Sequence, residues 1–192
     1  MRDRLRTTMA AALVGTALLS GCSERQEASA TLPSASEAPS TSEAALPPLG
    51  PPDLPMPDEA RAQTPEGAQA FVRYYIELIN RTSTVMDAAP LRDLSVRCED
   101  CNRIAKYTEE DAAAGRDYEG GEMTIADMGE PRLKGGTAEM TVAIDQARFI
   151  VLDDTGKPTE GGIDPLTEVY GGAGLSWDAP RQTWVMTQLT FG

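Results

Sequence analysis

The sequence predicts an α+β domain in which three helices precede a long antiparallel meander of strands. Three observations carry this. Apolar residues recur at helical spacing between Ala68 and Ile79. From Met123 onward they alternate instead, the pattern of half-buried strands. Turn signals at Gly135-Gly136 and in the run 153–158 (DDTGKP) separate the alternating stretches.

The first helix starts at Thr64, a residue suited to the N-cap. Pro65 fits the first helical position, and Glu66 complements the helix N-terminus. Ala68, Phe71, Val72, Tyr75, Ile76 and Ile79 share one face, and Tyr74 and Leu78 widen it. So broad an apolar arc belongs against a sheet rather than on a surface. The helix is expected to end at Asn80-Arg81-Thr82. A short second helix begins near Pro90, with Leu91 and Leu94 inward. A third occupies 98–115: Cys101, Ile104, Ala105 and Ala112 lie near one face, and Gly115 suits the C′ position.

Among the strands, Met123 and Ile125 alternate, then Met140, Val142 and Ile144, in a run that continues to Leu152. The last two strands cover 167–177 and 183–191, joined through 178–182. A hairpin symmetric about the 180/181 bond sets Trp177 opposite Trp184, a pairing that contributes a few tenths to about 1 kcal/mol. The stretch 159–174 is Gly-rich and leaves the start of the third strand loosely defined.

This domain is read as residues 61–192. Ahead of it, Arg2, Arg4 and Arg6 precede an apolar run from about Met9 to Leu19, with small residues before Cys22, the anatomy of a secretory signal over 1–21. The run is too short to span a bilayer. Leu19-Ser20-Gly21-Cys22 also resembles a bacterial lipobox. That resemblance implies acylation of the Cys22 thiol after cleavage before it; the alternative is an ordinary secreted protein with a chance cysteine. Two or three acyl chains suffice for stable anchoring. Residues 22–60 are rich in Pro, Ser and Ala and hold no aromatic, so they are expected to form a disordered tether. As a flexible coil it spans roughly 35 Å.

Composition removes several functions. The 192-residue chain contains no histidine, which excludes Ser-His-Asp and Cys-His catalysis and His-ligated zinc. No nucleotide-binding glycine loop and no G-x-S-x-G is present. Residues 61–192 carry 13 Lys and Arg against 22 Asp and Glu, a net charge of −9, so nucleic-acid binding has little electrostatic basis.

Helices followed by a strongly bent four-stranded antiparallel sheet, closed by a Trp–Trp hairpin, resemble the cone-shaped, nuclear-transport-factor-like (cystatin-like) fold. More narrowly, "TPEGAQAFVRYYIELIN", "PLRDLSVRCEDC" and "TWVM" resemble a family of actinobacterial lipoproteins of unknown function, over about residues 57–190. The family has no assigned catalytic residues, so none transfers.

Three groups of residues are candidates for chemistry. Cys98 and Cys101 form a C-x-x-C pair, and with Cys22 committed to lipid they remain alone. Glu99 and Asp100 between them disfavour a thiolate, while a helix N-terminus and Arg97 favour one. Further metal ligands of the Cys or His type are lacking. The pair reads as a local disulfide in an oxidising compartment, with a redox-active pair as the alternative. The aromatics come second. In a cone, Tyr75, Tyr107 and Trp177 would line the pocket, or instead Tyr74, Tyr118, Tyr170 and Trp184. By analogy of fold alone, Tyr75 with Asp127 or Asp145 would then form a Tyr/Asp pocket for small-molecule catalysis. Plain packing of these rings is favoured. The acidic clusters 109–111 and 153–154 read as solvated surface. The expectation is thus a lipid-anchored extracytoplasmic protein of the cell envelope, more a binding or accessory module than an enzyme. It would need no cofactor, no metal and no nucleic acid, and its partner would be an envelope protein or a small apolar ligand.

Overall fold

The computed structural model describes residues 46–192. The signal segment, Cys22 and the first part of the tether lie outside the described residues. Three helices come first: α1 (Pro65–Val85), α2 (Ala89–Asp93) and α3 (Glu99–Ala113). Eight strands follow: β1 (Asp117–Gly120), β2 (Met123–Met128), β3 (Arg132–Lys134), β4 (Thr137–Gln146), β5 (Phe149–Leu152), β6 (Pro158–Ile163), β7 (Leu166–Asp178) and β8 (Thr183–Phe191). All strand pairings are antiparallel. The predicted α+β class, with helices ahead of an antiparallel sheet, is what the chain adopts.

The strands form two sheets, ordered β2-β4-β7-β8 and β1-β5-β6, with β3 extending the β2 edge of β4. The two orders correspond. Only two residues separate β1 from β2, β4 from β5, and β6 from β7. Three long strands therefore run through both sheets and bend together. Backbone bonds from Gly121 N to Arg148 O (2.8 Å) and from Ala147 N to Glu122 O (2.9 Å) carry the ladder around the bend. Gly121 permits the corner: its φ is +79°, and a Cβ there would press into the Phe149 ring. The sequence reading of a single run from Ala138 to Leu152 is one such bent strand. What it missed is β1, β3, β6 and the fold line between the sheets.

Helix α1 packs its predicted face on the main sheet. Phe71, Val72, Tyr75 and Leu78 are completely buried, as are Val142, Trp184 and Met186 opposite them. The Thr64 hydroxyl accepts from Gly67 N at 3.0 Å, so the predicted N-cap is real. The helix runs one turn beyond its expected end at Thr82. Ser83 and Thr84 donate their hydroxyls to Ile79 O and Asn80 O (3.2 and 3.0 Å), which accommodates polar residues inside the helix. Met86, at φ +55°, closes it with its N–H on Thr82 O. On α3 the buried stripe is Cys101, Ala105 and Thr108, with Ile104 half-buried beside it; Ala112, expected on that face, is exposed.

The Gly135-Gly136 turn joins β3 to β4, both glycines having positive φ as a two-residue hairpin demands. Trp177 and Trp184 pair across β7 and β8 as the hairpin symmetry predicts, with ring centroids 5.2 Å apart and planes at 73°. Trp184 Nε1 donates to Ala62 O at 2.9 Å, so the buried indole is satisfied.

Residues 46–60, assigned to the tether from composition, pack as a strap on the domain. Met56 and Ala60 are buried, and Leu49 and Leu54 lean on the same core. The Tyr74 hydroxyl donates to Leu54 O (3.0 Å), and Arg81 pairs with Asp53 (2.7 Å). Arg61 donates to Pro47 O and Arg181 O at 2.6 and 2.7 Å, tying the strap to the β7–β8 hairpin. These apolar residues are spaced irregularly among prolines, so no periodic pattern marks them in the sequence.

Candidate functional site

The bend gives the sheet a concave side, and α3 crosses it. Between them, with the C-terminal half of α1 and the end of β8, lies a cleft of about 560 Å³. Such a volume falls in the usual range for small-molecule sites. Ile79 of α1, Ile104 and Tyr107 of α3, Met123 of β2, Phe149 and Val151 of β5, Ile163 of β6, and Leu189 and Phe191 of β8 supply its apolar wall. Tyr107 and Ile163 are 55% and 45% exposed, so the apolar wall reaches solvent at the mouth.

The ionised side chains of the cleft are internally paired. Arg103 and Asp100 meet at 2.8 Å, one turn apart on α3. Asp111 accepts from Arg116 (2.8 Å) and from the Tyr118 hydroxyl (2.7 Å). Burial, reinforced by the Asp111 carboxylate, holds the Tyr118 phenol well above its ordinary range, so it stays protonated and donating. Its ring packs edge-on against Phe149, with centroids 4.7 Å apart. One polar side chain lies deeper. Gln146 ends β4, is 8% exposed, and donates Nε2 to Gly121 O over a long 3.4 Å.

The residues proposed from sequence for a pocket are scattered. Tyr107 and Tyr118 line the cleft. Tyr75 does not: it is fully buried between α1 and α2, its hydroxyl on Leu91 O at 3.2 Å, and burial pushes its pKa up to about 12. Tyr74 lies under the strap, also pushed up to about 12 by burial. Trp177 and Trp184 close the hairpin, and Tyr170 stands exposed on β7. The space under α1 where a cone pocket was expected is filled by Phe71, Tyr75 and Trp184; the opening falls beside it, under α3. Asp127 is exposed, and Asp145 accepts from Glu168 N at 2.8 Å. Neither lines the cleft or contacts Tyr75, so the Tyr/Asp pairing is not assembled. Cys98 and Cys101 are disulfide-bonded at the start of α3, each 1% exposed. Neither sulfur presents a surface to an exchanging thiolate. Among the described residues no cluster of His, Cys, Asp or Glu could hold a metal ion, and no helix is long and apolar enough to cross a membrane.

Sequence reasoning missed Gln146, though the signal was present. The inward register of β4 runs Ala138, Met140, Val142, Ile144 and then Gln146, a polar residue at the end of an apolar stripe.

Fold and cleft together define a domain in which helices cap a bent antiparallel sheet and leave one largely apolar cleft beneath α3. A family of unknown function (DUF6318) matches residues 47–188, and the chain belongs to it. A search of the curated proteins finds no match. Among solved structures, the chain is similar to the intermembrane space region of chloroplast protein ARC6. The TM-score is 0.49 and the identity 13%, over 68% of this chain and 97% of that one.

Proposed function

We propose that this protein is a lipid-anchored, extracytoplasmic binding module of the cell envelope, and that it holds a small apolar ligand in the cleft under α3. The cleft carries the reading: about 560 Å³, walled by Ile104, Met123, Phe149, Leu189 and Phe191, with exposed apolar groups at its mouth. A non-enzymatic role is favoured because the cleft carboxylates are committed to arginines and the chain has no histidine to act as a general base. The anchor rests on the resemblance of residues 19–22 to a lipobox in an actinobacterial type of lipoprotein, and the cone-shaped, nuclear-transport-factor-like character of the domain remains part of this proposal.

Two measurements test it. Cys22→Ala should move the chain from the detergent phase to the aqueous phase on phase partition; retention in the detergent phase would remove the anchor. For the cleft, the full chain carrying Cys22→Ser is titrated with the neutral fluorophore N-phenyl-1-naphthylamine. Saturable enhancement is expected, reduced at least tenfold in affinity by Ile104→Trp, which fills the cleft, and by Ile163→Glu, which charges its mouth. Tyr170→Ala, outside the cleft, should leave it unchanged. Absent saturation, or equal binding by both cleft variants, overturns the ligand site.

A further inference from the structure

Gln146 sits where an aliphatic side chain would complete the core stripe of β4. It is more than nine-tenths buried, yet its amide has one protein partner, the distant Gly121 carbonyl. Among the described residues no protein donor reaches its Oε1. No fully sealed side-chain polar atom there lacks a partner, so the free side of the amide opens into the cleft that Gln146 lines. A buried polar group retained in such a position calls for a hydrogen-bonding partner.

The surrounding charges narrow what that partner carries. Both cleft carboxylates already hold a guanidinium, Asp100 that of Arg103 and Asp111 that of Arg116. An ammonium head would find no unpaired anion. A carboxylate head would find Arg103 already committed to Asp100, and it would lose hydration beside Phe149, Leu189 and Met123. An uncharged donor loses less on entering and satisfies the open Gln146 carbonyl.

We infer that the cleft selects a neutral amphiphile, an apolar body bearing one uncharged hydrogen-bond donor, a hydroxyl or amide, that docks on Gln146. This rests on the ligand-binding reading of the same cleft. The chemistry is recognition alone; no bond is made or broken.

The test displaces bound N-phenyl-1-naphthylamine from the full Cys22→Ser chain with four C10 probes below their micellar concentrations: 1-decanol, its methyl ether, decanoate and decylammonium. The alcohol should displace at a concentration at least tenfold below the ether and both ions. The ether comparison matters because it keeps the apolar body and lacks the donor. In Gln146→Leu the alcohol-to-ether ratio should fall to within twofold while the dye still binds, which also shows that the variant is folded. Gln146→Met serves if the leucine variant does not fold. Dye binding with no preference for the alcohol over the ether, or a preference that survives Gln146→Leu, overturns this inference and leaves the cleft as a ligand site. Failure of the dye to bind the parent chain removes both.

Discussion

Replacing Cys98 and Cys101 together by alanine separates the structural from the redox reading of the C-x-x-C pair. The cross-link closes a loop of four residues, for which the chain-entropy relation gives about 2 kcal/mol of stabilisation. Both sulfurs belong to the main core, and deleting two buried heavy atoms that the surroundings refill only partly costs about 1 kcal/mol more. Cys98 Sγ also accepts from Cys101 N at 3.3 Å, capping α3, and alanine removes that weak bond. The double variant should therefore lose about 3 kcal/mol, a drop in Tm of roughly 10 °C for a domain of this size. Because α3 supplies Ile104 and Tyr107 to the cleft, dye affinity should fall with it. Thermal unfolding followed by circular dichroism measures the first effect and the fluorescence titration the second. In parallel, equilibration with glutathione buffers should place the reduction potential below about −300 mV, as for a structural disulfide. A variant that melts within about 2 °C of the parent, or a pair half-reduced near −200 mV, would refute the argument.

Two further outcomes follow from packing. Gly67→Ala drives a Cβ into the carbonyl of Ala62, which is backbone and already holds the Trp184 indole. It should destabilise by about 2 kcal/mol in urea denaturation despite the gain in helix propensity. Tyr75→Phe deletes the bond to Leu91 O and should cost about 1 kcal/mol at neutral pH. The parent phenol is held up to about 12 in the folded chain against about 10 unfolded, so its contribution is complete below pH 10 and is lost as pH rises to 12. The Phe variant should thus show a shallower loss of stability across that window, read by denaturant midpoints at each pH.

The helices and the Trp hairpin were legible because each depends on local pattern. Thr64, Pro65 and the wide apolar arc specify α1, and the symmetry of 178–182 sets the tryptophan register. The cleft was not legible. It arises where three strands bend in concert, and each bend consumes only a two-residue step such as Gly121-Glu122 or Ala147-Arg148. Apolar residues continue on both sides of such a step, and the only mark is a one-residue change of inward parity, from Gln146 to Phe149 and Val151, which does not by itself announce a bend. Tyr75 illustrates the same limit. Its helical position marks it as inward, but only the placement of α2 shows that its hydroxyl ends on Leu91 O rather than in a cavity.

The first residues of the strap and the cleft stand at opposite ends of α1, while the strap's middle reaches along the helix to Arg81 through Asp53. Pro47 is held by Arg61 beside the start of the helix, at the β7–β8 hairpin. The cleft takes Ile79 and Ser83 from the last turns of the helix, and Leu189 and Phe191 from the far end of β8. A helix of 21 residues rises about 30 Å, so Pro47 stands at the end remote from the ligand site. A small folded domain fused ahead of residue 46 should accordingly change dye affinity less than twofold. The same domain fused directly after Gly192, next to Phe191, should lower it at least fivefold. Equal effects from the two fusions, or a larger one from the N-terminal side, would show that the start of the strap and the cleft are not separated in this way.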